Sequence, residues 1–256
     1  MVATHTVAKP LREVGGFVAM SLDTFVQFVH PPFAWREFIH QSWFAARVSL
    51  VPALLLNFVF NAFVIFMLDV LLIEIGAADA AGAGAGLAVV GQIGPAITVV
   101  IIGGSAATAM CADLGARTIR EEIDAMRVMG INPIQRLAVP RVAALVLNSF
   151  LLNALGGVIG LSADYLFAVY VTNVNPGAWA ASLTLLVGIP DVVISIVKAT
   201  TFGLAAGLIA CYKGFTVGGG PQGVGNAVNE TVVYTFLSLY VINTVLSAVL
   251  AQAQFR

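Results

Sequence analysis

Residues 113–141 read DLGARTIREEIDAMRVMGINPIQRLAVPR. What surrounds this stretch decides the fold: segments 85–112 and 142–163 carry no charged residue. Inside it stand Arg117, Arg120, Arg127, Arg136 and Arg141, five of the chain's 12 Lys and Arg residues. Asp113, Glu121, Glu122 and Asp124 accompany them. A charged island between two long apolar runs is the pattern of a membrane domain with a polar loop at one face. A partner protein can grip such a loop.

Composition agrees. Of 256 residues, 59% are hydrophobic and only 10% charged, against about 25% charged in an ordinary soluble domain. The bilayer is the solvent this chain is built for. A net charge of −1 argues against nucleic acid, which selects clustered cations on an exposed face. Cys111 and Cys211 follow no ligand or disulfide spacing and read as reduced, buried small hydrophobes. The polar start, MVATHTVAKPLREVGG, has no apolar run followed by a small-residue cleavage site, so no signal peptide is expected.

A spanning helix needs roughly 20 mostly apolar residues. Five segments qualify, at about 48–73, 86–111, 138–172, 183–212 and 231–254. This predicts an all-α membrane protein with five transmembrane helices. Residues 1–47 form a cytoplasmic or interfacial N-terminal segment and 48–256 the five-span domain. Within the first part, residues 14–29 are apolar with polar residues interspersed and end before Pro31-Pro32. They fit a helix lying in the membrane interface. Lys9, Arg12, Arg36, Arg47, the five island arginines and Lys213 all fall on one side of this arrangement. The opposite loops, about 74–85 and 173–182, hold Glu74 and Asp79 but no cation. Positive residues stay inside, so the N-terminus and the island are expected in the cytoplasm and the C-terminus outside.

Within the island, Thr118-Ile119-Arg120-Glu121 matches a capping box. Ile119, Ile123 and Met126 form an apolar stripe, and Gly130 followed by Pro133 marks a stop. A helix of about three turns is expected near 118–130. Its physics fits two roles equally: a solvated helix lying on the headgroups, or a docking helix for a partner.

Resemblance separates the two. The order acidic residue-Leu-Gly, then Glu-Glu-Ile-Asp-Ala-Met, then Met-Gly-Ile-Asn-Pro, then Val-Pro-Arg resembles the signature of MlaE/YrbE family permeases. These are membrane subunits of MCE-type ABC lipid transporters. The family usually has Glu where this chain has Asp113. A second block matches in 198–233: Lys198, Phe202-Gly203, Lys213-Gly214, Gly218-Gly219-Gly220, Gly223-Val224-Gly225 and Val232-Val233. The resemblance runs from about residue 40 to the end. The extended N-terminus resembles the actinobacterial branch associated with mycobacterial Mce operons.

The resemblance implies that the island helix is a coupling helix seated in a groove of an ATPase. Arg120, Glu121, Glu122, Asp124, Ala125, Met126 and Arg127 match it, and apolar Ile123 and Met126 would fill the groove while the charges fix register. It also implies lipid movement, in the import direction, in a plasma or inner membrane. The implied partners are a cytoplasmic ABC ATPase dimer, a second permease subunit (a paralogue) and MCE-domain lipid-binding proteins on the outer side. The chain would be no enzyme; ATP and Mg would be bound by the partner ATPase.

Other motifs weigh less. Gly82–Gly86 and Gly218–Gly225 lack the Lys-Ser/Thr of a P-loop and read as turns or close backbone approaches. Gly156-x-x-x-Gly160 and Gly203-x-x-x-Gly207 suit close helix packing, within one subunit or at a dimer seam. The histidines, His5, His30 and His40, precede the first expected span. This leaves no nucleophile–base pair in the membrane for catalysis, and no metal set is visible. Asn57 and Asn61, at i and i+4, either bond between helices or line a substrate path. Asp69 and Asp164 sit at or inside apolar spans, and such groups are functional candidates. Asp191 and Lys198, seven apart in one span, could pair. The alternatives to an ABC permease are an ion-coupled secondary carrier using Asp191 and Lys198, or a membrane assembly subunit that transports nothing.

Overall fold

The computed structural model describes residues 3–254, with side chains for residues 12–248. The described residues are helical and contain no strand. A first helix, α1 (Ala3–Val29), is followed by the long α2 (Trp35–Glu74). Then come α3 (Ala78–Ile119), the short α4 (Glu122–Val128), α5 (Ile134–Tyr170), a second short helix α6 (Pro176–Leu186), α7 (Ile189–Phe215) and α8 (Gly220–Gln254). Five of these, α2, α3, α5, α7 and α8, are long and apolar enough to cross a membrane.

The spans differ in extent from the hydropathy reading. The first begins at Trp35 and runs unbroken through residue 47, so His40 lies inside it rather than ahead of it. With 40 residues it is about 60 Å long, twice the roughly 30 Å of hydrocarbon. The stretch expected as a single span from residue 183 is two helices: α6 ends at Leu186, and α7 starts at Ile189 after an extended Gly188. Pro176 and Pro190 each start a helix, where a missing N–H costs nothing.

The inward face of α2 explains its late detection. Gln41, Ala45, Ser49, Ala53, Asn57, Asn61, Ile65 and Asp69 are its buried residues, each four positions from the next. A four-residue step overshoots one turn by about 40°, so the stripe winds along a single i±4 ridge. Small and polar residues face the protein, while Leu55, Phe58, Val59 and Phe63 face outward. In lipid that inversion is stable, since helices associate by close packing rather than by hiding apolar surface.

α5 is the central helix, packed between α2 and α7. A Cβ at Gly156 would come within 2.7 Å of Asn57 Oδ1, and one at Gly160 within 3.1 Å of Asn61 Oδ1. On the other side, a Cβ at Gly203 would meet the Leu145 carbonyl at 2.8 Å and one at Gly207 the Val142 Cα at 3.1 Å. Both small-residue motifs therefore hold helices together within one subunit. α3 carries two π-helical stretches, Val89–Ile93 and Ile102–Ala107, and α5 opens with a third, Ile134–Ala138. The first Gly-rich run is not a turn: it lies in α3, where Gly82 lets the backbone of Trp179 on α6 approach. In the second, Gly219 and Gly220 take positive φ (81° and 76°) and make the turn into α8.

Candidate functional site: the α4 face and the polar network behind it

The island folds as two helices, not one. Thr118 caps nothing: it is inside α3, and its hydroxyl donates to the carbonyls of Leu114 (2.9 Å) and Gly214 (2.8 Å). The chain breaks at Arg120 and Glu121, the latter left-handed at φ 59°. The expected capping box is therefore absent, and α4 is seven residues, about two turns. The stop is where the sequence put it. Gly130 has φ +74°, its N–H reaches Arg127 O at 3.0 Å, and Ile131 N–H reaches Met126 O at 2.9 Å. That pair of bonds is a Schellman motif.

The apolar stripe faces the other way from the expectation. Ile123 is buried against Met20, Leu114, Leu137 and Leu208, with Met126 packed beside it. It seats α4 on its own domain and is not free to fill a partner's groove. What α4 presents outward is its end. Val128 is 88% exposed and Met129 66%, with Ile119 and Ile131 also exposed. Charges frame this patch: Arg120 pairs with Glu122 at 2.9 Å, and Arg127 with Asp124 at 2.9 Å, all largely solvated. Glu121 and Ala125 are exposed as well. Val128 and Met129 were missed because they fall off the i, i+4, i+7 stripe. Two large apolar residues beside the stop glycine were the available signal.

Behind α4 lies a buried ionic network. Arg141, at the start of α5, is fully buried. One guanidinium nitrogen donates to Asp113 at 2.5 Å and lies 3.5 Å from Glu37; another donates to Leu137 O at 3.1 Å. Asp113 also holds Arg117 at 3.3 Å, and Glu37 accepts from Gln41 at 2.9 Å. The cytoplasm-facing ends expected for α2, α3 and α5 thus share one charge cluster. A buried guanidinium is tolerable only with such partners.

Within the spans, the predicted polar residues separate. Asn57 and Asn61 are buried in the α2–α5 seam and bond along their own helix, to Ala53 O (2.9 Å) and Asn57 O (2.8 Å). They do not face an open path. Lys198 and Asp191 do not pair. Asp191 accepts the Gly188 N–H at 2.9 Å and closes the first turn of α7. The Lys198 ammonium is buried and donates to Gly91 O on α3 (3.3 Å) and Ser247 Oγ on α8 (3.0 Å). The reason is local. Pro95 has no N–H to return to the carbonyl four residues back, so Gly91 O, in the π-helical stretch Val89–Ile93, lacks an α-helical donor. Lys198 therefore ties three spans together. Asp164 accepts the Trp179 indole N–H at 2.6 Å, fixing α6 to α5. Asp69, equally buried, has neither oxygen hydrogen-bonded among the described residues.

The permease MlaE family model matches residues 38–249. The chain belongs to the MlaE family of permeases. Over 250 residues it is 27% identical to the Rickettsia typhi "Probable ABC transporter permease protein RT0041", covering 98% of this chain and 96% of the relative. A Synechocystis relative, "Probable ABC transporter permease protein slr1045", is 29% identical over 177 residues, covering 69% of this chain and 67% of the relative. The Arabidopsis thaliana "Protein TRIGALACTOSYLDIACYLGLYCEROL 1, chloroplastic" is 31% identical over 159 residues, 61% of this chain and 45% of that protein. As a member of this family, the chain is a membrane subunit of ABC transport machinery.

Proposed function

We propose that this MlaE-family permease moves lipids across the membrane and takes its power stroke from an ATPase docked on α4. The observation that carries the reading is the geometry of α4. Its outward end, Val128 and Met129 framed by Arg120, Glu121, Glu122, Asp124 and Arg127, is exposed. Its inward side is locked by Ile123 to a core that the Arg141–Asp113–Glu37 network joins to three spans. Force applied at α4 therefore reaches α2, α3 and α5 as a rigid-body shift. ATP and Mg belong to the partner, and this chain supplies no bond chemistry.

The Lys and Arg distribution supports an inner or plasma membrane orientation with α4 and the N-terminus in the cytoplasm and the C-terminus outside. The family resemblance supports import, MCE proteins on the outer side and a second, paralogous permease subunit. A relative named after a glycerolipid supports a lipid cargo. The relatives above are rickettsial, cyanobacterial and plant, and none of them supports an actinobacterial branch.

The test is purification in mild detergent of the chain with its ATPase. Two double variants separate apolar from charged contacts: Val128→Asp with Met129→Asp, and Glu122→Arg with Asp124→Arg. Both should insert and melt as the wild type does, since no span changes, yet lose the ATPase. Like-charge contacts at an interface cost several kcal/mol, and about 1.4 kcal/mol is already tenfold in affinity. Full ATPase recovery with both would make α4 a headgroup-bound loop and remove the coupling reading.

A further inference from the structure

A recess of about 540 Å³ opens between α1, the start of α2, α5 and α7. Its walls are aromatic and aliphatic, with Phe25, Phe28, Phe33, Phe38, Phe150 and Leu204 among them. This lies within the size range of small-molecule sites. Phe25, Phe28 and Phe150 are partly exposed at its opening. Two hydroxyls line it, and both are already bonded to their own helices: Thr24 to Met20 O at 2.8 Å and Thr200 to Ile196 O at 2.9 Å. A buried water needs two to four polar partners, and this recess supplies none that are free. Its occupant must be apolar.

The rim states the other half of that occupant's chemistry. The recess ends where α1 stops and α5 starts. There Gln135 donates to His30 O at 3.2 Å. Arg36, one position from the wall residue Trp35, and Arg136, three before the wall residue Val139, stand at this end, both exposed. The nearby acid, Glu37, is turned onto Arg141. Neither Arg36 nor Arg136 has an ion pair among the described residues. An apolar slot in a membrane helix bundle, ending at two unneutralised guanidinium groups, matches one phospholipid: an acyl chain inside, an anionic phosphate at the rim.

We propose that this slot holds a resident anionic phospholipid of the leaflet on the α4 side, wedged between α1 and the α5–α7 pair. The lipid is a structural ligand that fixes α1 against the bundle. It is independent of cargo and of ATPase docking, so the function proposed above can fail without it and the reverse.

The experiment places the chain in nanodiscs of phosphatidylcholine with phosphatidylglycerol, extracts it into mild detergent and weighs it by native mass spectrometry. The wild type should retain one phosphatidylglycerol per chain. Ala143→Phe, which fills the slot from α5 (Ala143 is a wall residue), should retain none while still assembling with the ATPase. Arg36→Gln with Arg136→Gln should keep a lipid but lose the preference for phosphatidylglycerol over phosphatidylcholine by roughly thirtyfold, as two cations near a surface predict. Equal retention by the Ala143→Phe variant overturns the proposal. So does its conversion of a dimer into a monomer with no change in lipid, because the slot would then seat a second copy of the chain.

Discussion

Arg141 donates to Asp113 across 28 positions of sequence, from the third turn of α5 to the last turns of α3, and no solvent reaches the guanidinium. The contact forms because the α3 and α5 ends lie close enough for the short Asp113 side chain to reach. Breaking it from one side should be worse than removing it. Asp113→Leu leaves the buried Arg141 guanidinium with only the 3.5 Å ion pair to Glu37 and should cost about 3–5 kcal/mol. Arg141→Met with Asp113→Leu should recover a large part of that loss. Thermal unfolding in detergent, followed by fluorescence-detected chromatography, reads the order of the melting temperatures. A double variant no more stable than the single would mean the network is not an isolated charge cluster.

Lys198 and Pro95 should be coupled through the Gly91 carbonyl. Pro95→Ala gives the backbone an N–H that can return to Gly91 O and compete with the ammonium. The cost of Lys198→Met should then fall by about 1 kcal/mol in the Pro95→Ala background, the net worth of one hydrogen bond. Additive effects at 95 and 198 would mean that the freed carbonyl does not hold the lysine.

Gly156 and Asn57 make a third testable pair. Gly156→Ala forces a methyl to within 2.7 Å of Asn57 Oδ1 and should cost about 1–3 kcal/mol as overpacking. Asn57→Ala in the same chain should relieve part of it. Because the contact is within one subunit, melting temperature should move while oligomeric state, read by light scattering, does not. A change of oligomer instead would place the glycine motif at a subunit seam.

These residues mark what could be read from the sequence. The number of spans, the island and its glycine stop were legible because each is local: a run of apolar residues, a cluster of charge, a position needing positive φ. The start of α2 was not, since its inward stripe of Gln41, Ala45 and Ser49 looks polar in a hydropathy window although Trp35, Ile39 and Trp43 face outward. The Asp191–Lys198 pair was a reasonable inference from helical spacing. It failed because Asp191 is engaged by the backbone of Gly188, and because Gly91, in another span, offers Lys198 its carbonyl. The capping box failed through competition. Thr118 found the Gly214 carbonyl 96 residues away, a partner no local pattern reveals. The direction of Ile123 likewise depended on the core it met, not on its own period.

The orientation of the bundle yields the last prediction. Ten of the 12 cations fall on the α4 side of the expected spans, and the positive-inside rule predicts that side in the cytoplasm. The chain is suited to a direct measurement because its two native cysteines, Cys111 and Cys211, are both free and buried. An impermeant maleimide applied to intact cells should therefore meet little background. Tyr170→Cys, at the exposed outer end of α5, should label. Arg127→Cys, on α4, should label only after the membrane is opened. Both positions are exposed, so the substitutions perturb no packing, and accessibility alone decides the outcome. Labelling of Arg127→Cys in intact cells, with Tyr170→Cys protected, would invert the molecule. It would also put α4 on the wrong side of the membrane for any cytoplasmic ATPase.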